Sequence, residues 1–237
     1  MVDAALKPGN QPLPSDAKVT EVLNEVADHS KDVMVVAAGS MPSEGVKLWR
    51  CEHTRGYHSE YGFSCMGYEI PAGIGVKMAD PDANVFVVVG DGTYLMMNSE
   101  ILSSVMLGQK LILVVLDNRG FGCINRLQSA CGADPFNNLW DDGTHVQDEA
   151  PKVDFAAHAA SLGAVAEHVS SLSELKPALQ RAIEAEKTAV VSIDTNAVES
   201  MGGGSWWQVG IPEVSTQEKV LDARSQWQDA GKKDQAY

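Results

Sequence analysis

The sequence is short of several things, and each shortage excludes something. It has four cysteines, Cys51, Cys65, Cys123 and Cys131, in 237 residues. No two of them form C-x-x-C, and no His/Cys group has zinc spacing, so neither a disulfide framework nor a structural zinc site is expected. Isolated cysteines in a chain of this size read as reduced thiols in the cytoplasm. Positive charge is scarce as well: 18 Lys plus Arg against 32 Asp plus Glu leaves a net charge of −14. That balance argues against nucleic acid or an anionic membrane as a partner. It does not exclude a phosphate held by backbone amides and a divalent cation, because such a field is local. No apolar run approaches the roughly eighteen residues a membrane-spanning helix needs. No charged-then-apolar leader opens the sequence. A dinucleotide fingerprint is missing too, since Gly90-Asp91-Gly92 is followed by Met96 and Met97 rather than by a third glycine.

What is present begins with Val85-Phe86-Val87-Val88-Val89, an apolar and mostly β-branched run ending in Gly90-Asp91-Gly92-Thr93. The run reads as a strand buried on both faces and the glycines as the turn that ends it. A second run, Leu111 to Leu116, ends in Asp117-Asn118. Two central strands therefore deliver Asp91 and Asn118 to one edge of a sheet, the edge where open α/β sheets bind ligands.

Other segments alternate around these two. A helix is expected from Ser15 or Asp16 to about Ser30, a strand over Val33 to Ala38, and a short helix over Ser43 to Arg50. Residues Cys51 to Gly67 have no clear periodicity and hold two histidines, two tyrosines and three glycines, the look of a functional loop. A helix is expected from Met66, with small residues that allow close backbone approach, and another over Asn98 to Gly108 with Ile101, Leu102, Val105 and Met106 inward. Arg119 to Gln147 reads as a long irregular connection. A helix over Val153 to Leu162, a strand at Ala164 to Ala166, a helix over Ser173 to Glu186 and a strand at Val190 to Asp194 complete five strands. The alternation predicts an α/β three-layer sandwich with a mostly parallel central sheet. Residues 1–14 read as a linker, 15–197 as the ligand-binding domain, and 198–237 as a C-terminal extension with a polar helix, packing on a neighbouring domain or subunit through Trp206 and Trp207.

The chemistry of the strand ends is specific. Magnesium takes about six oxygen ligands and accepts few from protein, phosphates and water supplying the rest. Asp91 offers a charged oxygen, Asn118 a neutral one, and the Arg119-Gly120 turn a backbone carbonyl. The Gly92 and Thr93 amides can donate to phosphate. As a bare tripeptide, Gly-Asp-Gly is also an ordinary turn; the pairing with Asn118 at the end of a second buried strand is what points to an Mg²⁺–diphosphate site.

Gly90-Asp91-Gly92, twenty-five residues, then Asn118 resembles the cofactor motif of the thiamine-diphosphate decarboxylase and acetolactate-synthase superfamily. Gly62-Phe63-Ser64-Cys65-Met66-Gly67-Tyr68-Glu69 resembles the segment that those enzymes place under the aminopyrimidine ring. Lys47-Leu48-Trp49-Arg50, Gly56-Tyr57-His58, Glu60-Tyr61-Gly62, Asn118 to Gln128 and Gly203-Gly204-Ser205-Trp206-Trp207 narrow the resemblance to the C-terminal half of the trihydroxycyclohexanedione hydrolases, ring-opening enzymes of inositol catabolism. The resemblance implies thiamine diphosphate and Mg²⁺ as cofactors. It makes Asp91, Asn118 and the Gly120 carbonyl the metal ligands, and gives the diphosphate to Gly92 and Thr93. Met66 would prop the bent cofactor, and the Ser64 carbonyl would accept from its amino group. Cys65, Gly90, Phe121, Gly122 and Cys123 fall in the same cofactor-binding stretches. His58 is a candidate contact for a polyhydroxy cyclic dione, with His53 and Arg126 as further polar candidates. The family's activating glutamate comes from an N-terminal pyrimidine-binding domain or subunit, across a homodimer or tetramer, and neither Glu60 nor Glu69 lies in that domain. Two other readings stay open: an acetolactate-synthase-like or decarboxylating enzyme, and a non-catalytic remnant or assembly module.

Overall fold

The computed structural model describes residues 13–143, 150–201 and 210–234. In chain order the elements are α1 (Asp16–Val26), β1 (Val33–Val36), α2 (Met41–Leu48), β2 (Tyr57–Ser59), α3 (Glu69–Ala79), β3 (Val85–Gly90), α4 (Asp91–Met97), α5 (Glu100–Met106), β4 (Ile112–Asp117), α6 (Gly122–Ala130), α7 (Phe155–Ser161), β5 (Val165–Val169), α8 (Leu172–Glu184), β6 (Ala189–Asp194) and α9 (Glu218–Asp234). A 3₁₀ turn, Trp140–Asp142, lies between α6 and α7.

The strands form one sheet in the order β2-β1-β3-β4-β6-β5, and every pairing is parallel. The expected alternation of strands and helices is thus present, with all six strands parallel. Alternation of side chains explains why β3 and β4 are apolar throughout. Phe86, Val88, Ile112, Val114 and Leu116 face a core shared with Val19 and Leu23 of α1 and Leu175 and Leu179 of α8. Val85, Val87, Val89, Leu113 and Val115 face a second core with Ile70 and Ile74 of α3, Tyr94 of α4, Ile101 of α5 and Phe155 of α7. Helices therefore cover both faces, the three layers of the expectation. Close approach holds at Gly73, where an added Cβ would lie 2.5 Å from Val87 Cγ2.

Several boundaries differ from the sequence reading. The stretch over 51–67 contains a sixth strand, β2, of only three residues, too short for alternation to show. The helix expected from Met66 begins at Glu69. The expected irregular connection contains α6, whose glycine and polar residues hide its helical period. Gly-Asp-Gly is not a free turn, because Asp91 is the first residue of α4. Of the four α5 residues expected inward, Ile101 is fully buried, whereas Leu102 and Met106 are exposed at 45% and 77%. In α9, Val220 is buried and Leu221 is 46% exposed. The Gly202–Trp207 stretch and residues 1–12 lie outside the described residues. No helix among the described residues is long and apolar enough to cross a membrane.

The topology singles out one place. From β1 the chain goes outward to β2 and then back past β1 to β3, so the strand order reverses between β1 and β3. Ligands of open parallel sheets sit beyond the carboxyl ends at such a reversal.

Candidate cofactor site

Asp91 stands at the carboxyl end of β3 and is completely buried. Gly92 N–H donates to its Oδ1 at 2.8 Å and Gly120 N–H donates to its Oδ2 at 2.7 Å. Burial pushes the Asp91 carboxyl up to about 8; the charge of neighbouring Asp117 pushes the same way, against the two amides. A buried carboxylate facing a second carboxylate is expensive unless a cation joins them.

The turn after β4 is built to bring Gly120 to Asp91. Arg119 and Gly120 have φ of +67° and +134°, a left-handed conformation that β-carbon sterics disfavour. Arg119 is pinned there: its Nη2 lies 3.1 Å from Asp194 Oδ2 and its Nε 3.5 Å from Asp117 Oδ1. The turn is braced from outside by Phe121 N–H to the Asn138 carbonyl at 2.7 Å and Trp140 N–H to the Arg119 carbonyl at 2.9 Å. A Cβ on Gly120 would lie 2.5 Å from the Asn138 carbonyl oxygen, so only glycine fits.

Asn118, also buried, accepts from Gly122 N–H at 3.3 Å through Oδ1. That bond places Asn118 at the amino end of α6. Phe121 lies over Gly92, where an added Cβ would be 2.6 Å from its ring. Asp91, Gly92, Asn118, Gly120, Phe121 and Gly122 are therefore one contact group. Thr93 is buried in the first turn of α4, and Gly90 has open space where a side chain would stand. Cys123 follows in α6, its thiol pushed up by burial.

The segment holding Ser64, Cys65 and Met66 follows β2 and packs on the chain just after β1. Ser64 has φ +52°, and its Oγ donates to the Ala37 carbonyl at 3.2 Å. Glu60 accepts from Phe63 N–H at 2.9 Å and Cys65 N–H at 2.8 Å, bonds that hold its carboxyl below the usual range. Burial and the charge of Glu60 push the Cys65 thiol up. Gly67 sits against α4, where an added Cβ would be 3.2 Å from Met97 Cβ. Met66 is half-buried.

Other candidates have structural partners. His58 Nε2 is 2.7 Å from the Tyr68 hydroxyl, with the rings stacked. His53 Nε2 is 3.1 Å from the Asp32 carbonyl oxygen. Arg126 donates to the Ala197 carbonyl at 2.6 Å, which fastens the chain after β6. Glu69 is buried and accepts from Ala38 N–H at 2.9 Å, so it clamps the loop after β1.

Sequence reasoning passed over Asp117 and Arg119 as site residues. Asp117 was visible only as a strand-ending polar residue beside Asn118; its contact with Asp91 needs the β3–β4 pairing. It also passed over Asp16, whose Oδ2 accepts from Ser40 Oγ at 2.5 Å, and Glu44, whose Oε1 accepts from Met201 N–H at 3.0 Å.

This group fits a metal–diphosphate. Asp91 holds two amide donors and stands beside the Asp117 carboxylate. Among the described residues no group of three or more His, Cys, Asp or Glu side chains could hold a metal ion; magnesium commonly takes few ligands from protein. No hydrogen bond to the Gly120 carbonyl occurs among the described residues.

Comparisons with known proteins give the chain's family. The family model for the thiamine pyrophosphate enzyme, C-terminal TPP binding domain, matches residues 37–193. The 3D-(3,5/4)-trihydroxycyclohexane-1,2-dione hydrolase of Geobacillus thermodenitrificans is 39% identical over 216 residues, 87% of this chain and 32% of that protein. Its counterpart from Halalkalibacterium halodurans is 36% identical over 203 residues, 85% of this chain and 31% of that one. The chain thus spans about a third of the length of these relatives. Among solved structures, the Rhodococcus jostii thiamine diphosphate-dependent 4-hydroxybenzoylformate decarboxylase superposes with a TM-score of 0.68 at 17% identity, over 80% of this chain and 34% of that one. At that identity the likeness concerns the fold.

Proposed function

The chain belongs to the thiamine pyrophosphate enzymes, as their C-terminal TPP-binding domain, and from that premise we propose that it is the cofactor-anchoring part of a hydrolase opening the ring of a trihydroxycyclohexane-1,2-dione. The observation that carries this reading is the contact group of Asp91, Gly92, Asn118 and Gly120 at the β3 and β4 ends.

Asp91 and Asn118 side chains and the Gly120 carbonyl would hold Mg²⁺. The Gly92 and Thr93 amides, in the first turn of α4, would hold the diphosphate, where aligned peptide dipoles favour negative charge. Phe121 over Gly92 keeps that turn in place. Ser64 and Cys65, fixed by Ala37 and Glu60, would present backbone to the aminopyrimidine, and Met66 its apolar side chain. Gly90, Gly122 and Cys123 complete the wall.

When bound, thiamine diphosphate supplies an electron sink for C–C cleavage next to a carbonyl. The chain's own part is to anchor, orient and neutralise charge. Because the relatives are about three times longer, the group that activates the cofactor would come from an N-terminal pyrimidine-binding domain or subunit. A homodimer or tetramer in the cytoplasm would assemble the two. His58, tied to Tyr68, would face the polyhydroxy substrate.

The test is to combine the chain with a separately expressed segment corresponding to the remaining two-thirds of the Geobacillus relative and follow ring opening of the cyclic dione. Activity that needs both parts, Mg²⁺ and thiamine diphosphate is expected. Loss of pyruvate instead of the dione would overturn the substrate assignment.

A further inference from the structure

We infer that Glu69 is a positioning residue: together with Ser64 it grips one peptide group at the end of β1, and so fixes the turn that would face the aminopyrimidine. That role rests on the cofactor reading, and it falls to a side chain outside the Asp91–Asn118 group.

The peptide joining Ala37 to Ala38 follows β1 directly, beside the place where the strand order reverses. Both of its polar atoms are taken by the same turn. Ser64 Oγ donates to the Ala37 carbonyl at 3.2 Å, and Glu69 Oε1 accepts from Ala38 N–H at 2.9 Å. In a planar trans amide these two groups point in opposite directions. A turn that holds both therefore fixes the plane, and the plane fixes the turn against the sheet.

The turn depends on such ties. Phe63, Ser64 and Cys65 are exposed, so packing does little to order them. Ser64 has φ +52°, a left-handed conformation that β-carbon sterics disfavour. Glu60 holds one side through the Phe63 and Cys65 amides. Gly67 lays the turn on α4, where an added Cβ would stand 3.2 Å from Met97 Cβ. Glu69 and Ser64 tie it to the end of β1.

The anchoring of α3 does not call for Glu69. Ile70 and Ile74 seat that helix in the core with Val87 and Val89. An acid in the first turn of a helix is favourable when it stays in water, but Glu69 is 1% exposed, and burial of a carboxyl is costly. Burial raises this one above its ordinary value, while the amides of Glu69 itself, Ala38, Gly67 and Ala37 pull the other way. Those amides belong to the two segments that the carboxyl joins, the end of β1 and the turn leading into α3.

Calorimetric titration of the full chain with thiamine diphosphate and with inorganic pyrophosphate, each with Mg²⁺, separates positioning from anchoring, because pyrophosphate has no pyrimidine. Glu69→Ala should bind thiamine diphosphate about tenfold more weakly, the equivalent of one hydrogen bond of about 1.4 kcal/mol, and should bind pyrophosphate as wild type does. Glu69→Gln keeps an acceptor for Ala38 N–H and should restore binding. Ser64→Ala, at an exposed position, should repeat the loss. The double variant should lose less than the product of the two losses, since both side chains hold one peptide. Circular dichroism checks that each variant is folded. Unchanged thiamine diphosphate binding in Glu69→Ala, or in Ser64→Ala should Glu69→Ala not fold, overturns the inference. So does an equal loss of pyrophosphate binding in a folded variant, which marks a general structural role. Absence of thiamine diphosphate binding by the wild type overturns instead the cofactor reading beneath it.

Discussion

Asp91→Asn should do two opposite things, which cross between about pH 4 and pH 8. In the free chain the Asp91 carboxyl titrates near 8 because it is fully buried beside Asp117. In the unfolded chain it titrates near its ordinary 3.8. A group raised in this way contributes stability that is complete below the unfolded value and is lost as pH rises towards the folded one. At about 1.4 kcal/mol per unit, roughly 4 kcal/mol is lost by pH 7, as a ceiling. The amide removes that term. It also turns an NH₂ towards Gly92 or Gly120 N–H, leaving one buried donor unpaired at about 1–3 kcal/mol. Near pH 4 the variant is therefore the less stable protein, and near pH 8 it is the more stable one, by about 1–3 kcal/mol or a few degrees in Tm. Thermal unfolding followed by circular dichroism from pH 4 to 8, without cofactor, reads the crossing directly. A stability difference of one sign and constant size over that range would refute the reasoning.

Other outcomes follow from single contacts. Gly92→Ala should push the Phe121 ring away, since the new Cβ would stand 2.6 Å from it; we expect a loss of about 1–3 kcal/mol in chemical denaturation, with weaker cofactor binding by calorimetry. Glu44 is buried, and burial together with the charge of Asp16 pushes its carboxyl up to about 7, so between pH 4.5 and 7 the wild type should lose up to about 3 kcal/mol. Glu44→Gln should flatten that part of the profile, and an unchanged slope would show that Glu44 is ionised in the fold. Gly120→Ala combines a φ of +134° with a clash against the Asn138 carbonyl and should destabilise the chain by about 2 kcal/mol or more, read as a lower urea midpoint.

The sheet could be read from the sequence because its central strands are buried on both faces. Val85 to Val89 and Leu111 to Leu116 have no polar side to confuse them, and each ends in a polar residue at the ligand edge. β2 was unreadable because three residues form no pattern. α6 was hidden because its first turn is organised by Asn118, outside the helix, and by the Asn138–Trp140 brace far along the chain. The same reason conceals half of the site. Asp91 and Asn118 stand out as residue types at strand ends. Asp117, Arg119 and Glu60 act through pairings that exist only once β4 lies beside β3 and β6, or once the loop folds back on itself.

We propose that Asp91, Asn118 and the Gly120 carbonyl hold a magnesium-bound diphosphate. Calorimetric titration of the chain with thiamine diphosphate, with and without Mg²⁺, tests it most directly, wild type against Asn118→Ala. Saturable binding that requires Mg²⁺, releases protons near pH 7 as Asp91 ionises, and is lost in the variant is expected. Binding of equal strength without Mg²⁺, or unchanged in Asn118→Ala, would contradict it.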